Sequence, residues 1–102
     1  MSSKQLPGET LEDLLGIARA LRIVRENHGA RRTELQRITE VMGWLVSALE
    51  LSKTKPHTLE HRAAWLKAEQ ATAALIALLL VHDEITKRLV GACAERLRAR
   101  AK

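Results

Sequence analysis

The sequence predicts an all-α fold, an antiparallel bundle of three to four helices in a single domain. The 102-residue chain has no Phe or Tyr and only two Trp, so its apolar residues are mainly Leu, Ile, Val and Ala, which are compatible with helices. These residues recur at helical spacing rather than in the alternation typical of strands. Only five Gly and two Pro interrupt the chain, and a chain of this length has room for one core.

The first helix is predicted to follow a flexible leader. The leader is expected to span Met1 to Glu9, and the helical-bundle domain residues 10–102. Thr10 is the expected N-cap, with Asp13 completing a capping box. Gly29 suits the left-handed position that ends the helix. The apolar stripe of this helix contains Leu11, Leu14, Leu15, Ile17, Ala18, Leu21 and Val24.

The second helix is predicted from about Arg31 to Ser52. Its apolar residues are spaced three and four apart, as in a coiled-coil seam, and are Leu35, Ile38, Met42, Leu45 and Leu49. The seam runs straight through Gly43, which indicates one unbroken helix rather than a helix-turn-helix motif. The linker from Lys53 to His57 contains Pro56, so helix 2 and the next helix are expected to form an antiparallel hairpin.

The third helical segment is predicted to begin after Thr58, its expected N-cap, and no Pro or Gly interrupts it before Gly91. Two architectures are therefore open. A break near His82 and Asp83 gives a four-helix bundle. Its last helix then carries the apolar residues Ile85, Leu89, Val90, Cys93 and Leu97. Without a break, the segment forms one helix of some 40 residues that is about 60 Å long. Its end would then project beyond the first two helices and would need a second chain to cover it.

Ala71 to Val81 is the most apolar stretch, since only Thr72 within it is polar. A helix that is apolar on all sides must be covered on all sides, either by the last segment or by a second subunit. The sequence therefore predicts a small interaction module, a homodimer that binds a protein partner or an apolar ligand through the surface of helix 3. The predicted partner-binding residues are Trp44, Trp65, Leu75, Leu78 and Leu79. The alternative is a monomeric bundle with this helix at its centre.

A first alternative function follows from the charge. Seventeen basic residues against twelve acidic ones give a net charge of +5, which permits an anionic partner. Arginines end helix 1 and begin helix 2, so they are expected to meet at one corner. A nucleic-acid-binding accessory protein would contact phosphates there through Arg22, Arg25, Arg31, Arg32 and Arg37.

A second alternative function follows from the segment Val81 to Leu89, in which a His precedes two acids and a Thr-Lys-Arg-Leu run. This segment resembles the phosphoacceptor box of bacterial sensor histidine kinases of the nitrate-responsive type. The resemblance covers this box alone, without an ATP-binding domain, and so implies a stand-alone phosphotransfer module. It implies that His82 accepts the phosphoryl group and that Asp83 assists.

Other chemistry finds no positive support in the sequence. There is no Glu-x-x-His pair and only one Cys, so neither a di-iron pattern nor a thiolate zinc site is predicted. No catalytic residue, metal or cofactor is assigned.

The single Cys93 excludes an internal disulfide and favours a reducing compartment. With no signal peptide and no apolar run of spanning length, the chain is predicted to be cytoplasmic and without a membrane partner.

Overall fold

In the computed structural model, which describes residues 8–55, 57–79 and 83–101, these parts of the chain form helices joined by short connections. The helices are α1 (Gly8–Asn27), α2 (Arg32–Leu51), α3 (Leu59–Leu78) and α4 (Glu84–Ala101). The described residues include no β-strand. The predicted all-α bundle is confirmed, and of its two possible architectures the structure has the four-helix form rather than one long C-terminal helix.

Contacts at the two ends of the bundle show that successive helices run antiparallel. At one end Arg25, near the end of α1, contacts Glu34 near the start of α2 and Asp83 just before α4. At the other end Asp13 of α1 lies 3.6 Å from Arg96 of α4. Both α2 and α4 pack against α1 and α3, while no described part of α2 packs against α4. The helices therefore run up, down, up and down.

The ends of α1 differ in how well the sequence predicts them. The helix already begins at Gly8, so Thr10 lies in its first turn, buried, rather than at the predicted N-cap. Residues 1–7 of the predicted leader lie outside the described part of the chain. Gly29 ends the helix as predicted, with φ of 75°, and the Ala30 N–H donates to the Arg25 carbonyl at 2.9 Å. This is a Schellman motif, which uses a left-handed glycine to satisfy the last carbonyls.

α3 begins at its predicted cap, because the Thr58 hydroxyl accepts a hydrogen bond from the His61 N–H at 3.2 Å. Replacing Thr58 by alanine removes this acceptor, so we expect the free energy of unfolding to fall by about 1 kcal/mol. Urea denaturation followed by circular dichroism measures the change. Thr58→Ser keeps the hydroxyl and should unfold like the natural chain; an equal loss in both variants would contradict the capping role.

The core takes residues from all four helices. It contains Leu11, Leu14, Leu15, Ala18 and Leu21 of α1, Ile38, Val41, Leu45 and Ala48 of α2, Ala64, Ala68, Ala71 and Leu75 of α3, Leu79, and Val90, Cys93 and Leu97 of α4. On α2 the buried side is rotated from the predicted seam, since Val41 and Ala48 are buried while Leu35, Met42 and Leu49 are half-buried. The rotation follows from the position of α2, which packs against both α1 and α3.

The chain itself does not cover the apolar part of α3 on all sides. Of the two kinds of cover that the sequence predicts, the last segment supplies only part, and cover by a second subunit stays a prediction. Ala71, Thr72 and Leu75 face the core and are buried, whereas Ala73, Ile76 and Ala77 are exposed. The physical reason is that α2, α4 and, to a smaller extent, α1 pack against α3 and together leave one side of this helix to solvent. Leu80 and Val81, at the end of the predicted apolar stretch, lie outside the described residues.

α4 buries a narrower side than its apolar residues suggest. Val90, Cys93 and Leu97 point into the core, but Ile85 is 76% exposed and Leu89 is also exposed. Because the described part of α4 packs against α1 and α3 and not against α2, only a narrow strip of its surface is covered.

Candidate functional site

An apolar stripe lies on the side of α3 that faces solvent. Leu59, Leu66 and Ala73 are seven residues apart and therefore return to the same side of the helix after every two turns, and Ala77 follows one turn later. Leu59 is 80% exposed and Leu66 is 58% exposed. Ala73 and Ala77 are exposed as well. We call these four residues the outer α3 face.

A groove of about 400 Å³ between α3 and α4 continues this surface. Its lining residues are Trp65, Glu69, Thr72, Ala73 and Ile76 of α3, and Ala94, Leu97 and Arg98 of α4. Ala73 belongs both to the groove and to the outer α3 face, so the two apolar surfaces are continuous. Trp65 is half-buried and supplies the only aromatic ring among the groove's described lining residues.

The five residues predicted to bind a partner do not form one surface. Leu75 and Leu79 are buried in the chain's own core, and Leu78 is half-buried. Trp44 is half-buried on α2, where the Arg37 guanidinium lies 5.5 Å from the centre of its ring. Of the five, Trp65 alone lines the groove between α3 and α4.

The outer α3 face was not predicted from the sequence, although a signal for it exists. Leu59, Leu66 and Ala73 repeat every seven residues, and this repeat runs alongside the buried repeat that contains Leu75. Periodicity alone does not say which of two apolar sides of a helix is covered. That choice depends on where α2 and α4 pack.

Three of the predicted phosphate-binding arginines line a shallow groove on α1 and α2. The residues that line it are Arg22, Arg32, Thr33, Leu35, Gln36, Arg37, Thr39 and Glu40, and we call it the arginine groove. Arg31 is exposed at the N-cap position of α2 but is not among them. Arg25 is turned away from the groove.

Arg25 instead joins the four helices at one end of the bundle. Its side chain is only 11% exposed. One guanidinium nitrogen donates to the Glu34 carboxylate at 3.1 Å, and the other donates to the Asp83 carboxylate at 2.7 Å and to the Leu78 carbonyl at 3.3 Å. We call these four residues the Arg25 network. Two carboxylates balance the charge of Arg25, so we assign this side chain to stabilising the fold rather than to binding phosphate.

The predicted phosphoacceptor, His82, lies outside the described residues, so its role stays a prediction. Asp83, its predicted helper, is part of the Arg25 network. The Asp83 carbonyl also accepts a hydrogen bond from the Lys87 N–H at 2.9 Å, which places Asp83 at the start of α4.

Two further findings concern the described residues alone. They contain no cluster of three His, Cys, Asp or Glu side chains arranged to hold a metal ion. Nor does any helix among them combine the length and apolarity needed to cross a membrane. Comparison of the chain with protein-family models, with curated proteins and with solved structures finds no match.

Proposed function

We propose that this chain is a helical-bundle interaction module that forms a homodimer through the outer α3 face. The observation that supports the proposal is the exposed apolar stripe on α3, a helix that the chain covers on its other sides. Apolar surface in water costs about 25 cal/mol per Å², so exposed leucines that recur on one side of a helix are typical of an interface.

The order of large and small residues on the stripe favours a second copy of the chain as the partner. A two-fold axis near Gln70 would set Leu66 of each protomer opposite Ala73 of the other, with the two α3 helices antiparallel. At this pair a large residue would pack against a small one, which lets two helices approach closely. A parallel arrangement would instead set Leu66 against Leu66 and leave a gap between the alanines.

The groove between α3 and α4 extends this interface. The groove opens beside Ala73. A side chain of the second protomer that extends beyond the outer α3 face into the groove would contact Trp65. Tryptophan contributes strongly to binding when it is removed from water, because it buries a large rigid surface. The proposed interface therefore combines the outer α3 face with Trp65 at its edge.

Leu66→Glu tests the proposal. The two-fold axis would bury two carboxylates in an apolar contact, so we expect the dimer to weaken by about 100-fold or more, which corresponds to roughly 3 kcal/mol. Light scattering during size-exclusion chromatography measures the mass, and circular dichroism checks that helix content is kept. The natural chain should have the mass of two protomers and the variant that of one.

Ile23→Glu is the matched control, because Ile23 is 61% exposed, close to the value for Leu66, but lies on α1. It makes the same type of change on another surface and should leave the dimer intact. The proposal is refuted if the natural chain has the mass of one protomer throughout an accessible concentration range. Equal loss of the dimer in both variants would also refute it.

A further inference from the structure

The arginine groove lies on α1 and α2, away from the outer α3 face, and no part of the proposed dimer uses it. It brings three arginines together with the hydroxyl or amide groups of three polar residues. We propose that the arginine groove binds the phosphate backbone of a nucleic-acid duplex.

The guanidinium groups of the groove are accessible to a phosphate. Arg32 is exposed, and the described residues place no carboxylate within 4.0 Å of it. Arg22 pairs with Glu26 and Arg37 pairs with Glu40, each at 3.2 Å. Both are exposed pairs within one helix, and such pairs are worth only about 0.2–1 kcal/mol. A phosphate therefore competes with them at little cost.

Neighbouring side chains hold two of the three guanidinium groups in position. The Arg22 Nε donates a hydrogen bond to the Thr39 hydroxyl at 3.2 Å. Arg37 lies over the Trp44 ring at 5.5 Å, a cation–π distance. Side chains that are already positioned lose less conformational entropy when a ligand binds. These contacts therefore position two of the guanidinium groups before a phosphate binds.

The position of Arg32 at the start of α2 also favours an anionic ligand. The N-terminal end of a helix carries a partial positive charge, so a cation there costs some tenths of a kcal/mol. An anion that contacts Arg32 reverses this cost, because it interacts favourably with both the guanidinium and the helix end.

The groove's composition favours a duplex backbone over other polyanions. Arginine binds phosphate through two parallel hydrogen bonds, and hydroxyl and amide groups such as those of Thr33, Gln36 and Thr39 commonly contact phosphates and sugars. Among its described lining residues Leu35 alone is apolar. The groove therefore lacks the apolar side chains with which a protein inserts into a lipid surface. None of them is aromatic, so no platform exists on which unpaired bases would stack.

Fluorescence anisotropy with a labelled random-sequence DNA duplex tests the proposal, using the full chain over a series of salt concentrations. The natural chain should bind with an affinity that falls steeply as salt rises. The double variant Arg32→Gln, Arg37→Gln removes two of the cations that bind phosphates. We expect it to reduce the slope of log affinity against log salt by about 2, roughly one for each phosphate that is no longer neutralised.

The control variant Lys53→Gln, Arg88→Gln changes the net charge equally, at exposed positions that line neither groove, and should bind like the natural chain. Leu66→Glu should also bind, which separates this proposal from the dimer. No duplex binding at low salt, or equal weakening in the two double variants, overturns the proposal. So does displacement of the duplex by polyglutamate or by phosphatidylserine vesicles at matched charge, because the groove would then serve an acidic protein or a membrane.

Discussion

Leu75→Ala is expected to lower the free energy of unfolding by about 3–4 kcal/mol. Leu75 is completely buried on the inward side of α3, among residues of the main core. The substitution removes apolar contacts and leaves a cavity that rigid neighbouring helices fill only in part. Domains of this size are stable by about 5–15 kcal/mol, so the variant would lose a large share of its stability. Urea denaturation followed by circular dichroism measures the change.

Leu66→Ala is the matched control for this substitution. It makes the same chemical change on the same helix, but Leu66 is largely exposed. Measured in dilute solution, where dimers dissociate, its effect should stay within about 0.5 kcal/mol. Similar losses in the two variants would contradict the assignment of Leu75 to the core and of Leu66 to the surface.

Arg25→Met is expected to have the next largest effect on stability, a loss of about 2–3 kcal/mol of unfolding free energy. Methionine replaces the apolar stem of the side chain but removes the donors to Glu34, Asp83 and the Leu78 carbonyl. The two carboxylates then remain near each other without a cation. Because Glu34 is about one-third exposed, water offsets part of the loss, which keeps the effect below that of a fully buried pair.

A double-mutant cycle with Asp83→Asn tests this explanation by thermal and urea denaturation. Arg25 and Asp83 are in direct contact, so their effects should not add, and a coupling of about 1–2 kcal/mol is expected. Arg22→Met is the control, since its pair with Glu26 is exposed, and it should change stability by less than about 0.5 kcal/mol. Strictly additive effects of Arg25→Met and Asp83→Asn would show that the ion pair does not stabilise the fold.

Helix ends that depend on local chemistry could be predicted from the sequence. Thr58 caps α3 through its own hydroxyl, and Gly29 ends α1 because it adopts a left-handed conformation at no steric cost. The start of α1 differs from its prediction because a capping residue alone does not fix where a helix begins. Thr10 is a suitable capping residue, but nothing in Gly8 or Glu9 prevents helix formation, and the buried position of Thr10 favours a helix that already includes it.

The end of α3 could not be predicted in the same way, because a contact that stabilises it comes from a distant part of the sequence. No Gly or Pro lies between Thr58 and Gly91. Instead Arg25 donates to the Leu78 carbonyl at the end of α3 and to Asp83, which is 58 positions away along the chain. The outer α3 face depends on tertiary packing in the same way, since Leu66 and Leu75 are equally apolar and only the neighbouring helices distinguish them.

The packing order of the helices also affects how the chain reaches this fold. Each helix packs against the one before it, across a short connection, and only the contact of α4 with α1 joins the two ends of the described chain. Closing a short loop costs little conformational entropy, so adjacent helices can pair through local encounters. A topology dominated by contacts between consecutive helices is typical of helical proteins that fold rapidly. Among the described helices, the contacts of α1 with α3 and with α4 are those that join helices not consecutive in the chain.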